Sequence, residues 1–155
     1  MLTIRKAELG DLKAVKAIDQ LLFGADSYPL FVLRQFYDIT GEYLLVAETG
    51  GEVVGYMLAH LDRENRKGWL LSLGVLPAHR GKRIGEKLMA ATMASMEKQG
   101  AFILYLTVHP DNAAGISIYT RLGFAEEQEE ADYYLDNSPR LLMSRRISTQ
   151  PDKAY

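Results

Sequence analysis

Arg80-Gly-Lys-Arg-Ile-Gly85 is the segment whose residue types suit chemistry on a charged ligand. Arg80, Lys82 and Arg83 crowd positive charge into one turn. Gly81 and Gly85 let a ligand approach the backbone with no Cβ in the way. An apolar run ending at Pro77 precedes the segment and a helical pattern follows it, so the order reads strand, loop, helix. A helix start offers unpaired N–H groups and the positive end of the helix dipole. Cations are unfavourable there unless an anion answers them. The combination predicts a site for phosphate or pyrophosphate, with a solvated basic turn as the alternative. Neither a Gly-Lys-Ser/Thr phosphate loop nor a Gly-x-Gly-x-x-Gly fingerprint is present.

The elements around this segment follow from periodicity. Leu2 to Ala7 alternates as an opening strand. Leu12, Val15, Ile18 and Leu22 recur at helical steps up to a stop at Gly24. Asp26-Ser-Tyr-Pro29 is a turn, and Leu30 to Ile39 reads as a second helix. Tyr43 to Glu48 and Val53 to His60 are strands joined by a Thr49-Gly-Gly-Glu52 hairpin. Trp69 to Val75 is a strand with Trp69, Leu71, Leu73 and Val75 on one face and Leu70, Ser72 and Gly74 on the other. Gly74 there signals a bulge or a close approach. Arg83 to Gln99 is helical, with Ile84, Leu88, Ala91 and Ser95 on one stripe and Met89, Met93 and Met96 on another. Phe102 to Val108 is apolar on both faces, as for a central strand. Asn112 caps a helix running to Leu122, Phe124 opens a strand, and Leu141 to Ile147 is the last one. The order β-α-α-β-β-β-α-β-α-β-β predicts an α/β fold, a mixed central sheet with helices on both faces. One domain is expected over 1–147, followed by a frayed polar tail over 148–155.

Composition narrows the function. The chain has 155 residues and a net charge of −2, against the basic surface that nucleic-acid binding needs. It has no cysteine, which excludes a thiol nucleophile and thiolate metal sites. No histidine–carboxylate cluster has metal-ligand spacing, so no metal is expected. No segment reaches the ~20 apolar residues of a membrane span, and the first residues show no apolar core of a signal peptide. A cytoplasmic protein without nucleic-acid or membrane partners is expected, either monomer or homodimer.

Ser72-Leu-Gly-Val-Leu-Pro77 followed by Arg80-Gly-Lys-Arg-Ile-Gly85 resembles motif A of the GNAT acetyltransferases, Gln/Arg-x-x-Gly-x-Gly/Ala. Arg83 stands where the first motif glycine is usual. Asn112-Ala-Ala-Gly-Ile-Ser-Ile-Tyr-Thr-Arg-Leu-Gly-Phe124 resembles motif B, Asn-x-x-Ala-x-x-x-Tyr-x-x-x-Gly-Phe, with Gly115 in place of the alanine. Ala131 to Met143, with its Tyr133-Tyr134 pair, resembles the ending of the RimI-type enzymes, which acetylate the N-terminal alanine of a ribosomal protein.

The resemblance implies a GNAT fold with its two central strands, 69–75 and 102–108, splayed apart to take the pantetheine arm. It implies acetyl-coenzyme A as cosubstrate, bound by Leu73, Val75, Arg80, Gly81, Lys82, Arg83, Ile84, Gly85, Asn112 and Tyr119. The implied reaction is direct attack by a primary amine in a ternary complex. Tyr119 is the implied general acid and the Val75 N–H the oxyanion contact. Ser72, Tyr133 and Tyr134 are the implied substrate-binding residues, for a protein or peptide amine such as an N-terminal α-amine. Thr107 stands where RimI-type enzymes place a catalytic glutamate, so a base is missing. Ser72, Glu48, His60 and His109 are candidates to line a water path instead. The acids Glu126, Glu127, Glu129, Glu130 and Asp132 suggest steering of a cationic acceptor or a solvated turn. A small amine (polyamine, amino acid or aminoglycoside) is the alternative acceptor. A non-catalytic acyl-coenzyme A sensor is the alternative of another class.

Overall fold

A computed structural model describes residues 1–147; the tail expected over 148–155 lies outside the described residues. Strands β1 (Leu2–Lys6), β2 (Leu44–Thr49), β3 (Glu52–Asp62), β4 (Lys67–Val75), β5 (Ile103–Val108), β6 (Ala125–Glu130) and β7 (Arg140–Arg146) alternate with helices α1 (Leu12–Phe23), α2 (Leu30–Thr40), α3 (Ile84–Lys98) and α4 (Ala113–Arg121). The element order is the one expected from periodicity. The strands follow the order β1-β2-β3-β4-β5-β7-β6. The chain divides into two compact units, residues 1–60 with 71–94 and residues 61–70 with 95 onward.

In the first unit β1 pairs antiparallel with β2, and β2 with β3. The Gly-Gly turn is built as expected. Thr49 lies opposite Glu52, and Gly50 and Gly51 take positive φ of 59° and 78°, which lets the turn follow the twist of the strands. Helix α1 begins where Arg5 of β1 grips the Asp11 carboxylate at 2.7 and 3.1 Å. That bond holds the Asp11 carboxyl below the usual carboxylate range, against the opposing effect of burial. The core gathers Leu12, Val15 and Ile18 of α1, Leu33 of α2, and Leu44, Val46, Tyr56 and Leu58 of the strands. Alternation along the strands then sorts the two helices onto two faces. A Cβ on Gly74 would stand 2.9 Å from Leu22 of α1 and 3.3 Å from Ile18. A Cβ on Gly55 would stand 3.4 Å from Leu88 of α3. Helices therefore cover both faces here, as the α/β pattern predicts.

In the second unit β4 and β5 are parallel, from Lys67 opposite Ile103 to Leu70 opposite Leu106, and among the described residues the register ends there. Trp69 and Tyr105 face each other across this pair and stack at 5.0 Å. Gly68 leaves room on the other face for Leu104 and Met96, which a Cβ would meet at 2.4 and 2.5 Å. Strand β5 continues antiparallel with β7 through Val108 opposite Leu141, and β6 pairs on the outer side of β7. Every residue of β6 is exposed, which accounts for its run of glutamates.

Helix α3 differs from its sequence reading in one respect. Its buried face is Ile84, Leu88, Met89, Thr92, Met93 and Met96, while Ala91 and Ser95 lie half-buried at its flank. The two stripes read from sequence are one broad face. Thr92 joins it because its hydroxyl bonds back to the Leu88 carbonyl at 3.0 Å, so no polar group is left bare.

Gly74 is the close approach its place in a strand predicted. A Cβ there would lie 2.7 Å from Cε1 of Tyr56, a ring held by bonds to two further side chains. Gly74→Ala is expected to lower unfolding free energy by about 1–3 kcal/mol through overpacking. Urea unfolding followed by circular dichroism checks this; an unchanged midpoint would mean that the strand relaxes freely.

Candidate active site

The first unit carries the anion-binding half. The chain leaves β4 still tied to β3, the Leu76 N–H donating to the Val54 carbonyl at 2.8 Å. A single 3-10 turn, Pro77–His79, follows. Gly81 takes φ of 81° and Arg83 φ of 58° before α3 begins at Ile84. The left-handed geometry at Arg83 explains why a glycine is the usual choice there, since a side chain costs about 1–2 kcal/mol in that region. Ile84 is 3% exposed, so its side chain anchors the helix start and leaves only its backbone for a ligand. Leu73 and Val75 approach the other side of this start, 3.7 and 3.8 Å from the Cβ position of Gly85. Arg80, Lys82 and Arg83 are exposed and make no ion pair among the described residues. Three cations without an ion pair, a glycine and a helix start fit a pyrophosphate group.

Beneath β4 lies a polar network that the sequence did not disclose. Asp19 of α1 is 1% exposed. Its carboxylate accepts from the Tyr56 hydroxyl, from the Tyr28 N–H at 2.7 Å and from the Ser72 hydroxyl at 3.4 Å. The Tyr56 and Ser72 oxygens lie 2.7 Å apart. Burial, and then the bond to Asp19, push the Tyr56 hydroxyl far above its ordinary value, so it keeps its proton and acts as a donor. Lys16 reaches the same turn, donating to the Ser27 hydroxyl and the Tyr28 carbonyl. The Ser72 hydroxyl is thus engaged within the protein. One signal was available: Asp19 stands four residues after Val15, on the apolar stripe of α1, where only a paired carboxylate is tolerable.

The second unit carries the rest. Asn112 caps α4, its side-chain oxygen accepting from the Gly115 N–H at 3.0 Å. A Cβ on Gly115 would lie 2.7 Å from the Asn112 amide nitrogen, so the missing alanine methyl makes room for this cap. Tyr119, seven residues on, is half-buried and packs edge-on against Phe124 at 6.4 Å. Its hydroxyl has no hydrogen-bond partner among the described residues. Burial raises its pKa, so the phenol holds its proton throughout the neutral range. An unpartnered, protonated hydroxyl is suited to donate a proton.

The connection between β6 and β7 brings Tyr133 and Tyr134 together, edge to face at 4.8 Å. The Tyr134 hydroxyl lies 2.7 Å from the Thr107 hydroxyl of β5. Burial, then Tyr134 and Glu130, raise the Tyr133 hydroxyl. Among the candidates for a water path, Glu48 accepts from Arg5 at 3.4 Å. His109 Nδ1 accepts the Asp111 N–H at 3.0 Å, which assigns its neutral proton to Nε2. His60 is half-buried and has no hydrogen-bond partner among the described residues.

A mixed sheet whose strand-loop-helix unit presents such a cradle defines an α/β protein with a site suited to a phosphorylated ligand. The model of the Acetyltransferase (GNAT) family matches residues 13–124, and the chain belongs to that family. It is an acyltransferase. An N-alpha-acetyltransferase of Sulfurisphaera tokodaii is 32% identical over 91% of this chain and 90% of its own length. The structure of Ard1 from Thermoplasma volcanium superposes with a TM-score of 0.88 at 25% identity, over 96% of this chain and 99% of that one. The ribosomal-protein-S18-alanine N-acetyltransferase of Escherichia coli shares the fold with a TM-score of 0.84 at 24% identity, over 100% and 99% of the two chains. The RimI-type resemblance read from the motifs is therefore met in the fold.

Replacing Arg80 removes one of the three free cations and no internal bond. Arg80→Ala is expected to weaken acetyl-coenzyme A binding about tenfold, more at low salt, with no change in melting temperature. Titration calorimetry at two salt concentrations reads this directly; unaltered affinity at both would remove Arg80 from the cradle.

Proposed function

We propose that this chain transfers the acetyl group of acetyl-coenzyme A to the N-terminal α-amine of a protein or peptide. The observation that carries acetyl transfer is a protonated Tyr119 hydroxyl with no hydrogen-bond partner among the described residues; the basic loop, whose cations make no ion pair there, supports it independently. The α-amine is supported by the likeness to an N-alpha-acetyltransferase along nine-tenths of the chain.

Acetyl-coenzyme A supplies the acetyl group as a thioester. Arg80, Lys82 and the amides from Gly81 to Gly85 hold its pyrophosphate, and Arg83 adds charge at the same place. Leu73 and Val75 flank the arm, and the Val75 N–H is assigned to the oxygen that becomes negative on attack. Tyr119 donates its proton to the departing sulfur. The phenol suits this role because burial keeps it neutral. Tyr133 and Tyr134 are assigned to the acceptor. Thr107 stands where the resemblance places a glutamate, and a threonine hydroxyl cannot act as that base. An α-amine with a pKa of about 8 is partly neutral near pH 7 and needs less help than a lysine at about 10.4. The missing base therefore favours an α-amine.

The test is free-thiol release with mass spectrometry of the products. Acceptors are peptides with a free α-amine, the same peptides α-blocked but lysine-bearing, polyamines and aminoglycosides. Acetylation of free α-amines about tenfold or more above the blocked peptides is expected, from the difference in neutral fraction. Preference for the lysine peptides or the small amines would replace this reading. Binding of acetyl-coenzyme A with no turnover on any acceptor would favour a sensor.

A further inference from the structure

Thr107 was legible only as an absence, a residue that cannot act as a base. The structure gives it a contact instead. It lies on β5, opposite Leu142 of β7, and its hydroxyl stands 2.7 Å from that of Tyr134, 27 residues later. Tyr134 is 54% exposed, so burial does not fix its ring. Three side chains do: Thr107 at the hydroxyl, Tyr133 edge-on, and the Arg140 guanidinium 5.2 Å over the ring. The connection that bears the ring is costly to form. Leu135 and Asn137 are both left-handed, at φ of 64° and 63°. The Asp132 carboxylate holds the bend by accepting the Asn137 N–H at 2.6 Å, and Asp136 by accepting the Ser138 N–H at 3.0 Å. These bonds shape the connection from within, whereas the Thr107 bond ties its aromatic end to β5.

We propose that Thr107 is a positioning residue: its hydroxyl donates to the Tyr134 oxygen and frees the Tyr134 O–H to donate to a backbone carbonyl of the acceptor. A threonine hydroxyl has one hydrogen, and the 2.7 Å contact admits it as the donor to the phenol oxygen. The phenol has one hydrogen as well, and while it accepts from Thr107 that hydrogen points outward. A peptide acceptor has a carbonyl one residue beyond its α-amine, where a polyamine has none. The tie also holds the ring in place before the acceptor arrives, so that binding need not order it. The inference rests on the peptide reading given above, and it assigns to position 107 a role in acceptor affinity and none in proton transfer.

The experiment compares wild type, Thr107→Val, Thr107→Ser, Tyr134→Phe and the double variant Thr107→Val/Tyr134→Phe on one free α-amine peptide. Hydrogen exchange over residues 131–139 is followed in the same proteins without acceptor. Thr107→Val is expected to raise peptide KM about threefold to tenfold, the loss of one hydrogen bond. The kcat and the KM for acetyl-coenzyme A should stay within twofold, and Thr107→Ser should restore wild-type behaviour. The double variant should be no worse than Tyr134→Phe, since both act on one contact. Exchange at 131–139 should quicken in Thr107→Val and not in Thr107→Ser. A fall in kcat at unchanged peptide KM would overturn the proposal by placing Thr107 in the chemistry, and so would additive single variants. If wild type acetylates no peptide, the peptide reading fails separately. The exchange arm then decides the tie alone, and equal exchange in all the variants would refute it.

Discussion

Positive charge crowded at the start of α3 is the constraint on which the rest depends. Arg80, Lys82 and Arg83 meet the positive end of a helix without an ion pair among the described residues, and Glu86 is the acid of that helix's first turn. Arg83 is also held in a backbone region that suits glycine. Backbone strain persists where the surrounding structure holds it in place, and it clusters at sites that bind ligands. A pyrophosphate at this place would neutralise the side chains and take up the N–H groups of the helix start. The buried Ile84 side chain and the bond from Leu76 to Val54 keep the loop in place from either end. Anchoring at both ends lowers the ordering cost of binding.

Asp19 imposes a second constraint. A buried carboxylate is tolerated when its oxygens are filled, and here an α1 side chain gathers donors from β3, from β4 and from the turn after α1. The same network sets the position of Tyr56, against which Gly74 packs, and engages Ser72. Gly74 can be nothing larger because Tyr56 is fixed, and Tyr56 is fixed because Asp19 must be satisfied.

Much of this was legible in the sequence wherever the cause is local. The stop at Gly24, the Gly-Gly hairpin, the Asn112 cap and the order of elements rest on residues within a few positions of one another. The loop was readable for the same reason, since glycine, charge and helix start are consecutive. The pairing of Trp69 with Tyr105 was not, because it depends on the register of a parallel pair 36 residues apart. Nor was the bond from Thr107 to Tyr134, which joins a strand to a turn. In α3 the pattern predicted two stripes where packing makes one, because a threonine that bonds its own helix can be buried. Sequence read position 107 by the residue missing from it, and the structure reads it by the residue present.

The central claim is that a proton from Tyr119 drives departure of the thiolate. The rate of acetylation of a free α-amine peptide, measured from about pH 6 to pH 11, tests it most directly. The acceptor must be neutral, so the rate should climb as pH passes the amine's value of about 8. Burial raises the Tyr119 pKa, so the acid form survives beyond the usual range of a phenol, and the rate should fall only above about pH 10. In Tyr119→Phe the plateau should drop about tenfold or more and the alkaline fall should vanish, with acetyl-coenzyme A affinity unchanged. A Tyr119→Phe protein that keeps both the plateau and the alkaline limb would contradict the account.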